Sequence, residues 1–383
     1  MSVRTEICEG IAPGWAELAS TGPLLASPGW LRAMDGRLGE RVVTIVVSER
    51  GIARVAALGS VQTTPRPLEF FDLHHVLIST APSLPLTDQA RAGRAELAAT
   101  APGPGRWTPN LVVMLPGYEC VPVGPGRDDP ALLGALVDGA CRWAARQDLR
   151  AVAFLYVREE SAGLAGALAA GEFTSMPLSL TWDLPVPPDG LAGYLRGLPR
   201  KRRQDATREL LRLGEAGVEI GRLDPGATLA EPVLRTLTAL RCQLVRRYRG
   251  AADEPAERRR LEALIRDVCA GQAQVITAEA DRRMIGYALF GGYHDAWHCL
   301  SLGYDYSDPR SRFGYFATAF YGAVPAAAAA GAATIGYGQG AARAKRARGC
   351  VGTPLTGWVR SADPDLAAAI RASAAVTALG PAA

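Results

Sequence analysis

Lysine is nearly absent from this chain of 383 residues. Of 42 Lys and Arg residues, only Lys201 and Lys345 are lysines. Metal-binding and disulfide patterns are also missing, because the seven cysteines lie far apart without a CxxC pair and the four histidines have no HExxH spacing. The sequence therefore predicts neither a metal centre nor a disulfide framework.

Long hydrophobic runs are missing as well. The most apolar stretch, residues 323–335, is mainly alanine and glycine, and it is shorter than the ~20 residues that a membrane helix needs. The first residues carry acids and have no apolar segment typical of a secretory signal. The expected location is the cytoplasm.

Composition and charge indicate a globular protein with two unlike halves. Hydrophobic residues make up 48% and charged residues 21%, and the length favours two domains over one. Residues 1–190 carry 15 basic and 20 acidic residues, whereas residues 191–383 carry 27 and 18. Either the second half meets an anionic partner, or an arginine-rich composition decorates a solvated surface.

Hydrophobic periodicity and turn signals predict alternating strands and helices in both halves. Predicted strands cover residues 41–47, 53–61, 110–115, 151–157, 179–184, 218–222, 274–279, 284–291, 296–302, 334–337 and 355–361. Predicted helices cover residues 29–34, 130–147, 161–170, 190–216 with an interruption at Pro199, 229–249, 254–270, 313–330, 340–348 and a terminal segment.

Two segments, residues 195–220 and 300–359, resemble Fem-like transferases of the GNAT superfamily, a group associated with peptidoglycan biosynthesis or recognition. In that family a basic L-x-x-L-x-x-K-x-R helix opens the second domain, and here it reads LRGLPRKRR from Leu195. A Y-x-x-G strand and a K-x-x-x-G turn follow near the end, here YGQG from Tyr337 and KRARG from Lys345. Residues 26–34 resemble the entry motif of the first domain.

The resemblance implies an α/β fold with tandem GNAT-like domains, each a mixed central sheet flanked by helices. Residues 1–184 would form the acceptor-side domain and residues 185–383 the basic, donor-side domain. Such a protein would transfer an aminoacyl group from aminoacyl-tRNA to a small-molecule or peptide amine, forming an amide without a further cofactor. The first domain looks less like the cell-wall members, which favours secondary metabolism, such as antibiotic biosynthesis.

The resemblance places Lys345 near the reacting centre, where its charge would stabilise the oxyanion formed when an amine attacks the ester. Such a charge contributes about 3 kcal/mol, judged from oxyanion-hole donors. Alternatively, Lys345 is a surface lysine that neutralises the carbonyl end of a helix. Asp305, at a strand end, is the candidate base of this domain, or else a turn carboxylate, and its neighbour Tyr304 is the third candidate catalytic residue.

Donor binding is expected from a basic stripe, although Asp205, Glu209 and Glu215 interleave with it and leave a solvated face as the alternative. Arg208 and Arg212 share one helix face. The candidate donor-binding residues are Lys201, Arg202, Arg203, Arg208, Arg310, Arg312, Tyr337 and Arg343.

Acceptor binding is expected in the first domain, where Asp72, His74 and His75 follow two phenylalanines and Tyr118 follows a Pro-Gly turn. Alternatively, each of these residues packs in the core or forms part of a turn.

Two other functions stay open. An acyl-CoA-dependent N-acyltransferase would need a Q/R-x-x-G-x-G/A loop for the pyrophosphate. Here Ser311 stands three residues before Gly314, and bulky Tyr315 and Phe316 follow, so the match fails. The third reading is a non-catalytic module that binds a peptidoglycan precursor or RNA.

Overall fold

A computed structural model describes residues 3–39, 41–66, 69–79 and 86–378. The chain forms two compact units, Met1–Leu180 with Thr353–Ala383, and Thr181–Gly352. The division near residue 180 lies close to the predicted domain boundary at 184. The final 31 residues lie in the first unit because the last strand pairs with a strand of that unit.

The strands in the described residues are β1 (Val3–Glu9), β2 (Arg41–Glu49), β3 (Ile52–Gln62), β4 (Asn110–Val113), β5 (Ala151–Arg158), β6 (Thr174–Pro185), β7 (Val218–Arg222), β8 (Gln274–Ala280), β9 (Arg283–Tyr293), β10 (Ala296–Tyr304), β11 (Thr334–Gly338) and β12 (Val351–Ser361). The α-helices are α1 (Trp15–Leu18), α2 (Pro28–Ala33), α3 (Asp88–Thr100), α4 (Pro130–Arg146), α5 (Ala162–Ala170), α6 (Gly190–Gly197), α7 (Arg200–Glu215), α8 (Glu231–Arg249), α9 (Glu254–Ala263), α10 (Gly314–Phe316), α11 (Ala323–Ala329), α12 (Ala342–Ala347) and α13 (Pro364–Ala378). The predicted α/β class is confirmed.

The first unit contains a mixed sheet in the order β1-β2-β3-β4-β5-β12. Its hairpin β2–β3 turns at Arg50 and Gly51, both with positive φ, as tight hairpins between right-twisted strands require. Strand β5 is buried along nearly its whole length, and helix α4, capped by the Asp129 side chain, covers the sheet with a stripe of buried leucine, valine and alanine.

The second unit contains a mixed sheet in the order β6-β11-β10-β9-β8-β7, in which β10 and β11 run parallel. Strands β8, β9 and β10 form the predicted antiparallel meander. Pro199 separates α6 from α7, as predicted, because proline cannot continue the hydrogen-bond ladder of a helix.

The predicted helix over residues 313–330 is less regular than expected. A π-helical segment, Ala317–Gly322, separates α10 from α11. Wide turns of this kind occur frequently at functional sites, and Tyr321 of this one lines a cavity described below.

Sequence periodicity missed strand β1 and helix α3. Helix α3 is rich in alanine and arginine, and its buried side includes Ala90, Arg94 and Leu97, so no apolar stripe marks it. Within the described part of the chain, no helix combines the length and apolarity that crossing a membrane requires.

Candidate functional site

Lys345 is buried on α12, with 4% of its surface exposed. Its Nζ donates to the backbone carbonyls of Tyr337, Gly338 and Gln339 at 2.8, 2.9 and 2.8 Å. Burial lowers the pKa of Lys345 to about 8, against the opposing effects of Cys299, Cys350 and Asp183. An ammonium has three protons, and all three are used here, so the reading as a surface lysine is wrong.

The turn after β11 has the backbone geometry that brings these carbonyls together. Gly338, Gly340 and Ala341 all have positive φ, a conformation that glycine adopts without steric cost. Before the turn, the Tyr337 hydroxyl donates to the carbonyl of Ala319, and its ring stacks on another ring at 4.7 Å between centroids. Tyr337, predicted to bind the donor, is therefore used inside the fold.

A partly buried ion pair lies at the end of α12. Arg348 Nη2 donates to both carboxylate oxygens of Glu209, at 2.6 Å each. The Arg348 guanidinium lies 3.8 Å from the ring centroid of Phe316, a cation–π contact. Tyr321 donates its hydroxyl proton to Glu209 Oε2 at 2.5 Å, so Arg348 and Tyr321 together hold the carboxylate in place.

A cavity of about 440 Å³ opens over this pair. Its lining combines a carboxylate, two guanidinium groups and an apolar wall: Glu209, Arg212, Leu213, Arg312, Phe313, Phe316 and Tyr321. This volume lies within the usual range for small-molecule sites, about 300–1,000 Å³. The sequence marked Arg212, as part of the basic stripe, and Arg312, but it did not predict the pocket, because the lining residues come from α7 and from segments about 100 residues later.

The predicted donor-binding residues of α7 are exposed. Lys201, Arg208 and Arg212 lie on one face by their spacing of seven and four residues. Arg202 lies 3.9 Å from Asp205, and Arg203 donates to the carbonyl of Arg196. Arg343 is exposed on α12.

Carboxylates occupy the turn that follows β10. Asp305, 4% exposed, accepts from the backbone N–H and the hydroxyl of Ser307 and pairs with Arg283. Asp308 accepts from the backbone N–H of Arg310 at 2.9 Å, and its carboxylate also pairs with the Arg310 guanidinium.

These contacts change the pKa of Asp305, the predicted base. Burial raises the pKa of Asp305, but the hydrogen bonds from Ser307 and Arg283 outweigh it, so the pKa lies below its ordinary value. Tyr304 is buried, its hydroxyl lies 3.4 Å from that of Thr318, and burial raises its pKa. Arg310 also pairs with Asp281, whereas Arg312 is exposed and lies 4.7 Å from the ring centroid of Phe313.

The predicted acceptor residues come together in the first unit. Asp72 accepts from the backbone N–H of Arg66 and of His75, and Phe70 packs edge-on against both His75 and Tyr118. The Nδ1 atom of His74 lies 3.0 Å from a serine hydroxyl oxygen. Burial lowers the pKa of both histidines, although Asp72 opposes it.

Two tyrosines of this cluster adopt a conformation that is rare for bulky residues. Tyr118 has φ of 68° and the buried Tyr156 has φ of 65°. Their rings lie 5.9 Å apart, and Tyr156 donates to the carbonyl of Phe70 at 2.9 Å. Such strain persists where the surroundings enforce it and concentrates at functional sites. No sequence signal marked Tyr156.

Within the described residues, no group of three His, Cys, Asp or Glu side chains is arranged to hold a metal ion. All seven cysteines are free.

Comparison with solved structures identifies the architecture. The structure of FemX aligns over 95% of this chain and 99% of its own, with a TM-score of 0.57 and 12% identity. The chain has the fold of FemX. Residues 200–346 match the family described as acetyltransferase (GNAT) domain. The predicted resemblance to Fem-like transferases of the GNAT superfamily is therefore confirmed.

Two further solved structures align with the chain at lower TM-scores. A tandem GNAT protein from the clavulanic acid biosynthesis pathway aligns over 94% of this chain and 99% of its own, at 14% identity and a TM-score of 0.49. L-PGS from Bacillus licheniformis aligns over 72% and 83%, at 12% identity and a TM-score of 0.48. No curated protein sequence matches the chain.

Proposed function

We propose that the chain is a cytoplasmic aminoacyltransferase that takes its aminoacyl group from a charged tRNA and forms an amide on a small-molecule or peptide amine. The GNAT family match and the FemX-like fold support the acyl-transfer class. The ester of a charged tRNA already carries the activation, so the reaction needs no nucleotide or metal.

The turn after β10 is the observation that favours charged tRNA over acyl-CoA as the donor. An acyl-CoA enzyme of this superfamily offers free backbone N–H groups to a pyrophosphate where a strand enters a helix. Here the carboxylates of Asp305 and Asp308 already accept from the N–H groups of Ser307 and Arg310. A pyrophosphate in this turn would find these N–H groups already occupied by the two carboxylates, so a donor without a pyrophosphate fits better.

The exposed face of α7 supports an RNA donor. Lys201, Arg208 and Arg212 extend over 11 residues of helix, or about 16 Å at ~1.5 Å per residue. Glu209, which breaks the stripe in the sequence, is neutralised by Arg348. Cations aligned in this way bind a phosphate backbone with release of counterions.

The contacts also suggest a division of roles. Lys345 could meet an oxyanion only by releasing one of its three carbonyls, so we assign it as a positioning residue for the turn at 337–339. We assign the acceptor amine to the cluster of Asp72, His74, His75 and Tyr118. Because burial lowers the pKa of both histidines, a neutral imidazole is present at pH 7 to accept the amine proton.

The test supplies total tRNA charged with labelled amino acids together with a pool of amines. We expect label to move from RNA into a small product, and we expect prior ribonuclease treatment of the donor to abolish the transfer. Transfer from acetyl-CoA instead, with none from charged tRNA, would overturn the proposed donor.

A further inference from the structure

The cavity between α7 and the segment 312–321 has the composition of a nucleotide site. We propose that it binds a nucleotide, with the phosphate on Arg212 and Arg312 and the base against Phe313 and Phe316. In the proposed reaction this nucleotide is the 3′-terminal residue of the tRNA, so this assignment of the ligand rests on the proposed function.

The two arginines supply the phosphate contact. Both are exposed, both line the cavity, and neither forms an ion pair with any residue that the structure describes. Guanidinium groups match phosphate geometry and are more weakly hydrated than an ammonium. The one carboxylate of the lining, Glu209, is paired with Arg348, so an anion meets two cations that no ion pair among the described residues compensates.

The aromatic wall supplies a stacking surface. Each phenyl ring already has a guanidinium against it, Arg312 at 4.7 Å from the Phe313 centroid and Arg348 at 3.8 Å from the Phe316 centroid. Both rings also line the cavity, so part of each ring stays open to a ligand. Stacking of a base on an aromatic side chain contributes about 1–3 kcal/mol, whereas a plain acyl chain would leave both arginines unpaired.

Glu209, at the floor of the cavity, supplies a hydrogen-bond acceptor for the ribose. Its carboxylate is fixed by Arg348 and Tyr321 and retains capacity for another donor, because an ionised carboxylate has about four lone-pair sites. Ribose hydroxyls are donors that carboxylates accept in nucleotide sites. The cavity thus offers a partner for each of the three parts of a nucleotide.

A binding experiment with 5′-AMP tests the site directly on the whole chain. We expect Arg212→Ala and Arg312→Ala each to weaken AMP binding about tenfold, the loss of one charge-assisted contact. Arg259→Ala, which removes an exposed arginine of α9 outside the lining, should leave binding unchanged. Phe313→Leu should weaken binding while it preserves apolar volume, and the thermal unfolding temperature of each variant checks the fold.

Two further ligands, an RNA hairpin and coenzyme A, distinguish between tRNA and coenzyme A as the source of the nucleotide. An RNA hairpin ending in CCA should bind tighter than the same hairpin lacking the terminal A, and the difference should vanish in Arg212→Ala. If the binding of coenzyme A depends on Arg212 and the binding of the RNA does not, the nucleotide site is supported and the proposed tRNA donor is wrong. If AMP does not bind, and transfer from charged tRNA is unaffected by either arginine variant, the site is wrong and the proposed function survives.

Discussion

Arg348 donates from a single nitrogen to both carboxylate oxygens of Glu209, 139 residues away in the chain, at 2.6 Å each. The Arg348 side chain is 4% exposed and that of Glu209 27%. This pair joins α7 to the end of α12 and forms the floor of the proposed nucleotide site.

Glu209→Gln should destabilise the protein by about 3 kcal/mol, because it leaves a buried guanidinium without a counter-charge. Urea unfolding measures the change. Glu215→Gln, an exposed acid on the same helix, should change the free energy of unfolding by less than about 0.5 kcal/mol. Equal effects at the two positions would show that the pair contributes nothing beyond a surface interaction.

The role of Glu209 on the basic helix could not be predicted from the sequence. Three acids interleave with the basic residues of α7 in the sequence, which left a solvated face as the alternative to donor binding. In the fold, Glu209 turns toward Arg348, a partner that no local pattern connects to it. The remaining cations are therefore less interrupted than the sequence suggests.

Lys345→Met should cost about 2–4 kcal/mol of stability, since it leaves three backbone carbonyls of one turn without their donor. The chain provides a natural control, because Lys201 is its other lysine and is exposed. Lys201→Met should unfold like the wild type in the same urea titration. Wild-type stability of Lys345→Met would refute the positioning role.

The cost of Lys345→Met should also depend on pH. The folded pKa of Lys345 is about 8, below the ordinary 10.5, so between pH 8 and 10 the unfolded chain binds more protons than the folded one. Stability from this group therefore rises with pH across the window. The gap between wild type and variant should widen by about 2 kcal/mol from pH 8 to 10, at ~1.4 kcal/mol per unit.

Urea unfolding of both proteins at half-unit pH steps measures this gap, and the buried tyrosines that both proteins share cancel in the difference. A gap that stays constant or narrows would mean that the carbonyls hold the ammonium more strongly than burial disfavours it.

Asp305→Asn should leave the pH profile of transfer unchanged between pH 5 and 8. Its carboxylate is engaged by Arg283 and Ser307, and these contacts hold its pKa below the ordinary value, so it does not titrate in that range. We expect a rate within about threefold of wild type, whereas loss of a general base costs about 100-fold or more. A loss of that size, with one limb of the profile removed, would restore Asp305 as the base.

The sequence predicted the fold well where periodicity is strong. The meander β8–β10, the break at Pro199 and helix α4 lie close to their predicted positions, because apolar spacing and proline chemistry act locally. Strand β1 and helix α3 were missed because their apolar positions do not form a clear stripe. The site was predicted less fully, because the contacts of Lys345 depend on positive φ in a turn, and the strained Tyr156 lies within an ordinary buried strand pattern.

Salt dependence offers the most direct test of the basic face of α7. If Lys201, Arg208 and Arg212 each neutralise one phosphate, replacing all three with alanine should flatten the plot of log affinity for tRNA against log salt. The expected reduction in slope is about 2 to 3, at ~0.7–0.9 per contact. A matched variant replaces three exposed arginines elsewhere, Arg91, Arg235 and Arg259, and changes the net charge equally. If both triple variants reduce the slope alike, the protein attracts RNA through its overall charge, and α7 holds no particular stretch of backbone. A reduction confined to the α7 variant would identify that helix as the surface on which the donor lies.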